Sequence, residues 1–134
     1  MKTRYTVAFA MVAGAALGAG AVQGLHAQAK PPVYFVAEIT VNDPAGYGKE
    51  YAPKAQASIA AHGGKLIALG GVGGGGAQTV KAFDGDPPKR AAIQVWDSME
   101  KLQAWYNSPE YQEARKIGMK YATFRSFSVE GRPQ

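Results

Sequence analysis

The 134-residue sequence has no cysteine and only two histidines. Without a thiol there is no disulfide, no lipid-anchored N-terminal cysteine and no thiolate metal site, so stability has to come from packing. The histidines, His26 and His62, fall in different parts of the chain, which excludes a multi-histidine metal centre. Charge is also sparse, at 19% of residues. The Lys and Arg residues are scattered among acids, and only Lys89-Arg90 and Arg115-Lys116 are adjacent. A nucleic-acid partner calls for cations clustered with aromatics on one face, and that pattern is missing. The glycine-rich run at 70–76 lacks the Lys-Ser/Thr ending of a phosphate-binding loop. Ser108 has no nucleophile-elbow context.

What is present begins with a leader. Lys2 and Arg4 precede a stretch from Tyr5 to Leu25 without a charged residue, and Ala27-Gln28-Ala29 follows with small residues at the positions a signal peptidase reads. The apolar run is rich in Gly and Ala, so its hold on lipid is weak. A single Arg4 is not a twin-arginine signal. These features predict a signal peptide at 1–29, cleaved at or near Ala29, with a periplasmic or secreted product that does not associate with the membrane. Residues 30–134 then form one domain, with 13 basic and 10 acidic residues and a net charge of +3. About 105 residues support one core, and dimerisation would add to it.

Within that domain, Val33 to Val41 alternates as a strand. Val33, Phe35, Ala37 and Ile39 share one face, and Tyr34, Val36, Glu38 and Thr40 share the other. Asp43-Pro44 reads as N-cap and first helical residue of a helix reaching His62, interrupted at Pro53 and stopped by Gly63-Gly64. Residues 64–70 predict a second strand, and the glycines at 70–76 a mobile loop. Residues 78–83 predict a short edge strand, and Arg90 to Trp96 a third main strand. Asp97 to Glu100 resembles a capping box that opens a second helix. That helix restarts at Ser108-Pro109, and Phe124 to Val129 closes the domain as a strand. The order β-α-β-β-α-β is the ferredoxin-like pattern of the α+β class, with an antiparallel sheet.

The segments VYFVAEITVNDPAGYGKEY, AHGGK, the strand led by PKR, and AWYNSPEYQEAR resemble domain of unknown function family 1330. The resemblance runs from Val33 to Gly131, and its most specific piece is Trp105-Tyr106-x-Ser108-Pro109-Glu110-Tyr111. It implies a dimeric α+β barrel, in which two four-stranded sheets pack face to face, and hence a homodimer. It implies no settled activity, since the superfamily holds cofactor-independent monooxygenases, lactone isomerases and haem enzymes alike. The export signal and the long glycine run depart from the usual family pattern.

Two clusters are candidates for chemistry. On the first helix, eleven residues at about 100° each bring His62 to about 20° from Tyr51, with Tyr47, Ala55 and Ser58 on the same side. His62 as general base and Tyr51 as its catalytic partner is one reading. The other is that the tyrosines are core residues and His62 caps free carbonyls. The second cluster is Trp105, Tyr106, Ser108, Tyr111 and Arg115. An arginine beside aromatic rings suits a carboxylate or enolate, and a well-packed seam between helix and sheet is the alternative. Asp43 and Tyr47 complete the candidate substrate contacts, Asp43 being explained equally well as an N-cap. Glu38, mid-strand, calls for a partner such as Arg125, expected between subunits. No cofactor or metal is specified, and a haem would depend on His62 as axial ligand. The expectation is a small-molecule-binding homodimer for a partly aromatic or carboxylate-bearing ligand. It is either a cofactor-independent isomerase or monooxygenase, or a non-catalytic binding or stress-related module.

Overall fold

The computed structural model describes residues 30–71 and 78–134. The expected signal peptide and most of the glycine loop, 72–77, lie outside the described residues. Strand β1, Val33–Val41, is central and pairs antiparallel with β4, Arg90–Trp96, on one side and β5, Ala122–Glu130, on the other. Its alternation has a simple cause. Val33, Phe35, Ala37 and Ile39 are buried beneath the helices, and each large apolar side chain so covered contributes roughly 1.5–3 kcal/mol.

The first helix is not a uniform rod with a break at Pro53. A short α-turn, Pro44–Gly46, leads into a π-helical segment, Tyr47–Tyr51, and then into helix α1, Ala52–Ala61. Pro53 occupies the first turn of α1, where its missing N–H has no helical partner to lose. The irregularity therefore precedes the proline. His62 is the C-cap, and Gly63, at φ +87°, makes the left-handed exit that glycine adopts without strain.

Strand β2, Lys65–Gly71, pairs antiparallel with β4 through an irregularity between Leu66 and Ala68. Gly70 and Gly71, read in the sequence as the start of a loop, are buried strand residues opposite Ala91 and Arg90. The expected edge strand shrinks to β3, Gln78–Thr79, which pairs parallel with the end of β2. Helix α2, Met99–Tyr106, is capped by Ser98 rather than Asp97. The Ser98 hydroxyl accepts from the Lys101 N–H, while Asp97 makes an exposed ion pair with the Lys101 ammonium at 3.0 Å. Helix α3, Pro109–Gly118, begins as expected, with Ser108 Oγ accepting from Tyr111 N.

The sheet order is β3-β2-β4-β1-β5, and its four long strands are antiparallel throughout. This is the ferredoxin-like β-α-β-β-α-β arrangement. The helices lie on one face, over a core in which Trp96 and Trp105 are each 1% exposed. The opposite face is largely apolar, and no described helix covers it. Tyr34, Phe127 and Val129 are exposed there, with Val36, Ile93 and Val95 half-buried between them. Glu38 and Arg125 stand directly opposite each other on this face and pair at 2.6 Å. The partner foreseen between subunits is thus found within one chain.

Candidate functional site

A cavity of about 80 Å³ lies between the helices and the covered face of the sheet. Its floor is Phe35, Ala37 and Ile39 of β1, Arg90, Ala92 and Gln94 of β4, and Leu66 and Leu69 of β2. Its roof is Tyr47, Tyr51 and Ala55 from the first helical segment, with Trp105, Tyr106, Tyr111 and Arg115 from α2 and α3. The floor follows from strand parity, since residues two apart on β4 point the same way. The roof depends on the π-turn. There the Ala52 N–H reaches back to the Tyr47 carbonyl, and the Tyr47 and Tyr51 rings lie 5.0 Å apart, both buried. Such turns recur where a helix has been adapted to function.

Rings line the space closely. Trp105 and Tyr111 have centroids 4.0 Å apart, Tyr51 packs 5.2 Å from Phe124, and Phe35 meets Trp105 edge-on at 5.5 Å. The Tyr51 and Tyr111 phenols interact. Burial, reinforced by the neighbouring Tyr111 and Tyr47 phenols, pushes the ionisation of Tyr51 well above the usual tyrosine range. Burial raises Tyr111 also, against the pull of Tyr51 and Arg115. Burial also raises Tyr47, against the pull of Arg90. Near neutral pH all three phenols are therefore neutral hydrogen-bonding groups. Arg90 sits with its guanidinium carbon 5.4 Å from the Tyr47 ring centroid, and its buried Nε–H meets no acceptor among the described residues. Among the described residues, two guanidiniums and no carboxylate or imidazole line the cavity. The arrangement suits an anion.

Of the residues singled out in the sequence, Tyr47, Tyr51, Trp105, Tyr111 and Arg115 converge on this cavity; His62, Asp43 and Ser108 do not. Eleven residues displace His62 about 16 Å from Tyr51 along the helix axis. Its Nδ1 donates to the Ser58 carbonyl at 2.8 Å and its Nε2 faces Glu110 at 3.9 Å. The imidazole is a helix-end group, not a base beside the phenols, and the cavity gains no axial histidine for a haem. Asp43 caps the first turn, accepting from Ala45 N and Gly46 N at 3.1 Å, and is exposed. Ser108 Oγ donates to the Trp105 carbonyl at 2.6 Å, fixing the junction of α2 and α3.

Sequence reading missed Arg90 as a site residue and did not assign Gln94 to the cavity. Both share strand parity with Ala92 and Trp96, which marks them as inward-facing. Arg90 was hidden beside Lys89 as one of two adjacent cations. Gln94 is buried and accepts from the Trp96 indole N–H at 3.0 Å.

Solved structures share the architecture at low identity. A cofactor-independent oxygenase, SnoaB, from Streptomyces nogalater is 18% identical, covers 78% of this chain and 96% of its own, and has a TM-score of 0.54. A protein of unknown function from Rhodopseudomonas palustris is 17% identical, covering 77% and 84%, with a TM-score of 0.51. A dimeric protein of unknown function with a ferredoxin-like fold from Bacteroides fragilis is 12% identical, covering 75% and 96%, with a TM-score of 0.50. At these identities the likeness concerns the fold. No curated protein matches the chain significantly. The family model for the domain of unknown function DUF1330, in contrast, matches residues 32–132, a span that takes in almost all of the described residues. The chain belongs to the DUF1330 family and has the ferredoxin-like fold.

Proposed function

We propose that this protein is exported and acts as a homodimer that binds a small acidic molecule in the cavity between helices and sheet. The observation that carries the ligand class is the lining itself: Arg90 and Arg115 supply positive charge, and no acid neutralises either from within the cavity. In a site walled by rings, a guanidinium bonds a carboxylate or enolate far more strongly than bulk water would allow. Tyr47, Tyr51 and Tyr111 add neutral hydrogen-bonding hydroxyls, and Trp105 adds a wall. His62, Asp43 and Ser108 hold helix ends and stay outside the proposal.

Binding is favoured over catalysis because the lining offers no group that takes a proton near neutral pH. The second reading, a cofactor-independent isomerase or monooxygenase, is supported by the same guanidiniums, which suit an enolate. It requires a substrate acidic enough to lose its proton without a protein base. The uncovered apolar sheet face supports the homodimer, as does the dimeric Bacteroides fragilis neighbour. Lys2, Arg4 and the Ala27-Gln28-Ala29 site support export.

Native mass spectrometry of protein purified from the producing cell's own periplasm tests these points together. The expected result is a dimer that retains, or on titration takes up, an organic acid. A monomer, a product found only in the cytoplasm with residues 1–29 retained, or a dimer that takes up no acid would each overturn the corresponding part.

A further inference from the structure

The cavity is not symmetric. Arg90 lies in one row across the sheet with Ile39 and Phe124, and Gln94 lies in another with Phe35 and Leu66. Four residues of strand separate the rows, about 13 Å. The first row is roofed by Tyr47 and Tyr51, and it holds the buried Arg90 Nε–H that meets no acceptor among the described residues. A buried N–H left in this state costs free energy that an acceptor atom recovers. The second row is neutral and leads outward, because a groove of about 250 Å³ on the protein surface shares Gln56, Ile59 and Leu66 with the cavity lining. Beyond those, Ala60, Gly64 and Lys65 complete the groove.

Size narrows the ligand further. A cavity of about 150 Å³ accommodates benzene, and the space here is about 80 Å³. A ring does not fit without displacing the walls, whereas an unbranched chain threads a narrow passage. Building on the reading of the cavity as an acid site, we infer that its ligand is an unbranched monocarboxylate. Its head group accepts from Arg90 Nε–H, and its alkyl chain runs past Gln94 into the groove at Gln56 and Leu66. Arg90 is thereby assigned as the anchoring residue, and Leu66 as part of the gauge of chain length.

Isothermal titration of the mature dimer with acetate, decanoate, decanol and benzoate tests this, a ten-carbon chain being long enough to pass from the Arg90 row to the groove. Decanoate is expected to bind at least tenfold more tightly than decanol or benzoate, and more tightly than acetate. Arg90→Gln should weaken decanoate at least tenfold, and Arg90→Lys, which keeps the charge but loses the Nε donor, should weaken it less. Leu66→Trp, at an exposed rim position that tolerates change, should weaken decanoate and spare acetate. That variant keeps the chain-length claim testable even if Arg90→Gln fails to fold. Decanoate binding unchanged in a folded Arg90→Gln variant would overturn the anchor while leaving the acid site standing. Benzoate binding as tightly as decanoate would overturn the chain class. Failure of every acid to bind wild-type protein would overturn the acid site itself.

Discussion

Trp105 donates its indole N–H to the Ser58 hydroxyl at 3.0 Å, joining α2 to α1 across the core. Ser58 passes the bond on by donating to the Ala55 carbonyl at 2.8 Å, and both residues are buried. Ser58→Ala strands a buried indole N–H, and the expected loss of stability is about 1–3 kcal/mol, measured by urea denaturation. An unchanged midpoint would show that the link carries no weight in holding α1 over the cavity.

Gly118 bears on the site from behind. A Cβ built there falls 2.5 Å from Tyr51 Cδ2 and 3.0 Å from Phe124 Cζ. Gly118→Ala therefore forces the Tyr51 ring toward the cavity, with an expected cost of about 1–3 kcal/mol in thermal denaturation and weaker ligand uptake. A variant as stable as wild type and equal to it in uptake would mean that the ring has room to retreat.

The phenols give a pH signature. Burial raises the ionisation of Tyr47, Tyr51 and Tyr111 above the ordinary value of 10.0. Above pH 10 the unfolded chain releases these protons while the folded chain keeps them, so the unfolded state gains. The stabilisation is complete below that pH and declines as pH climbs toward the folded values. Phenolate absorbance should show these tyrosines ionising only as the fold is lost. Reversible ionisation of every tyrosine near pH 10 in the native protein would contradict their burial.

The uncovered sheet face calls for a direct assay. Phe127 stands opposite Val36 and is exposed, so Phe127→Asp should leave the subunit folded yet shift sedimentation from dimer to monomer. The Glu38–Arg125 pair is expected to matter little within one subunit, at about 0.2–1 kcal/mol for an exposed pair. A Phe127→Asp protein that stays dimeric would place the subunit contact elsewhere.

Most of the fold was legible because its signals are local. The alternation of Val33 to Val41, Pro44 after Asp43 and Pro109 after Ser108 each state a backbone preference without reference to distant residues. The site was legible only in part, for a geometric reason. Helical angle grouped His62 with Tyr51, but angle alone says nothing of height along the axis, and the π-turn at Tyr47–Tyr51 leaves no mark in composition. Arg90 became significant only once strand pairing set it beside Ile39 and beneath Tyr47. The cap read at Asp97 falls one residue later, at Ser98, because it is the Ser98 hydroxyl that the Lys101 N–H reaches.

A crystal structure of the mature protein with decanoate reaches the centre of the account. The carboxylate should lie within hydrogen-bonding distance of Arg90 Nε, under the Tyr47 ring, with the chain leaving past Leu66. Electron density for the acid only on the protein surface, with the Arg90 end of the cavity holding none of it, would contradict an anion site between helices and sheet.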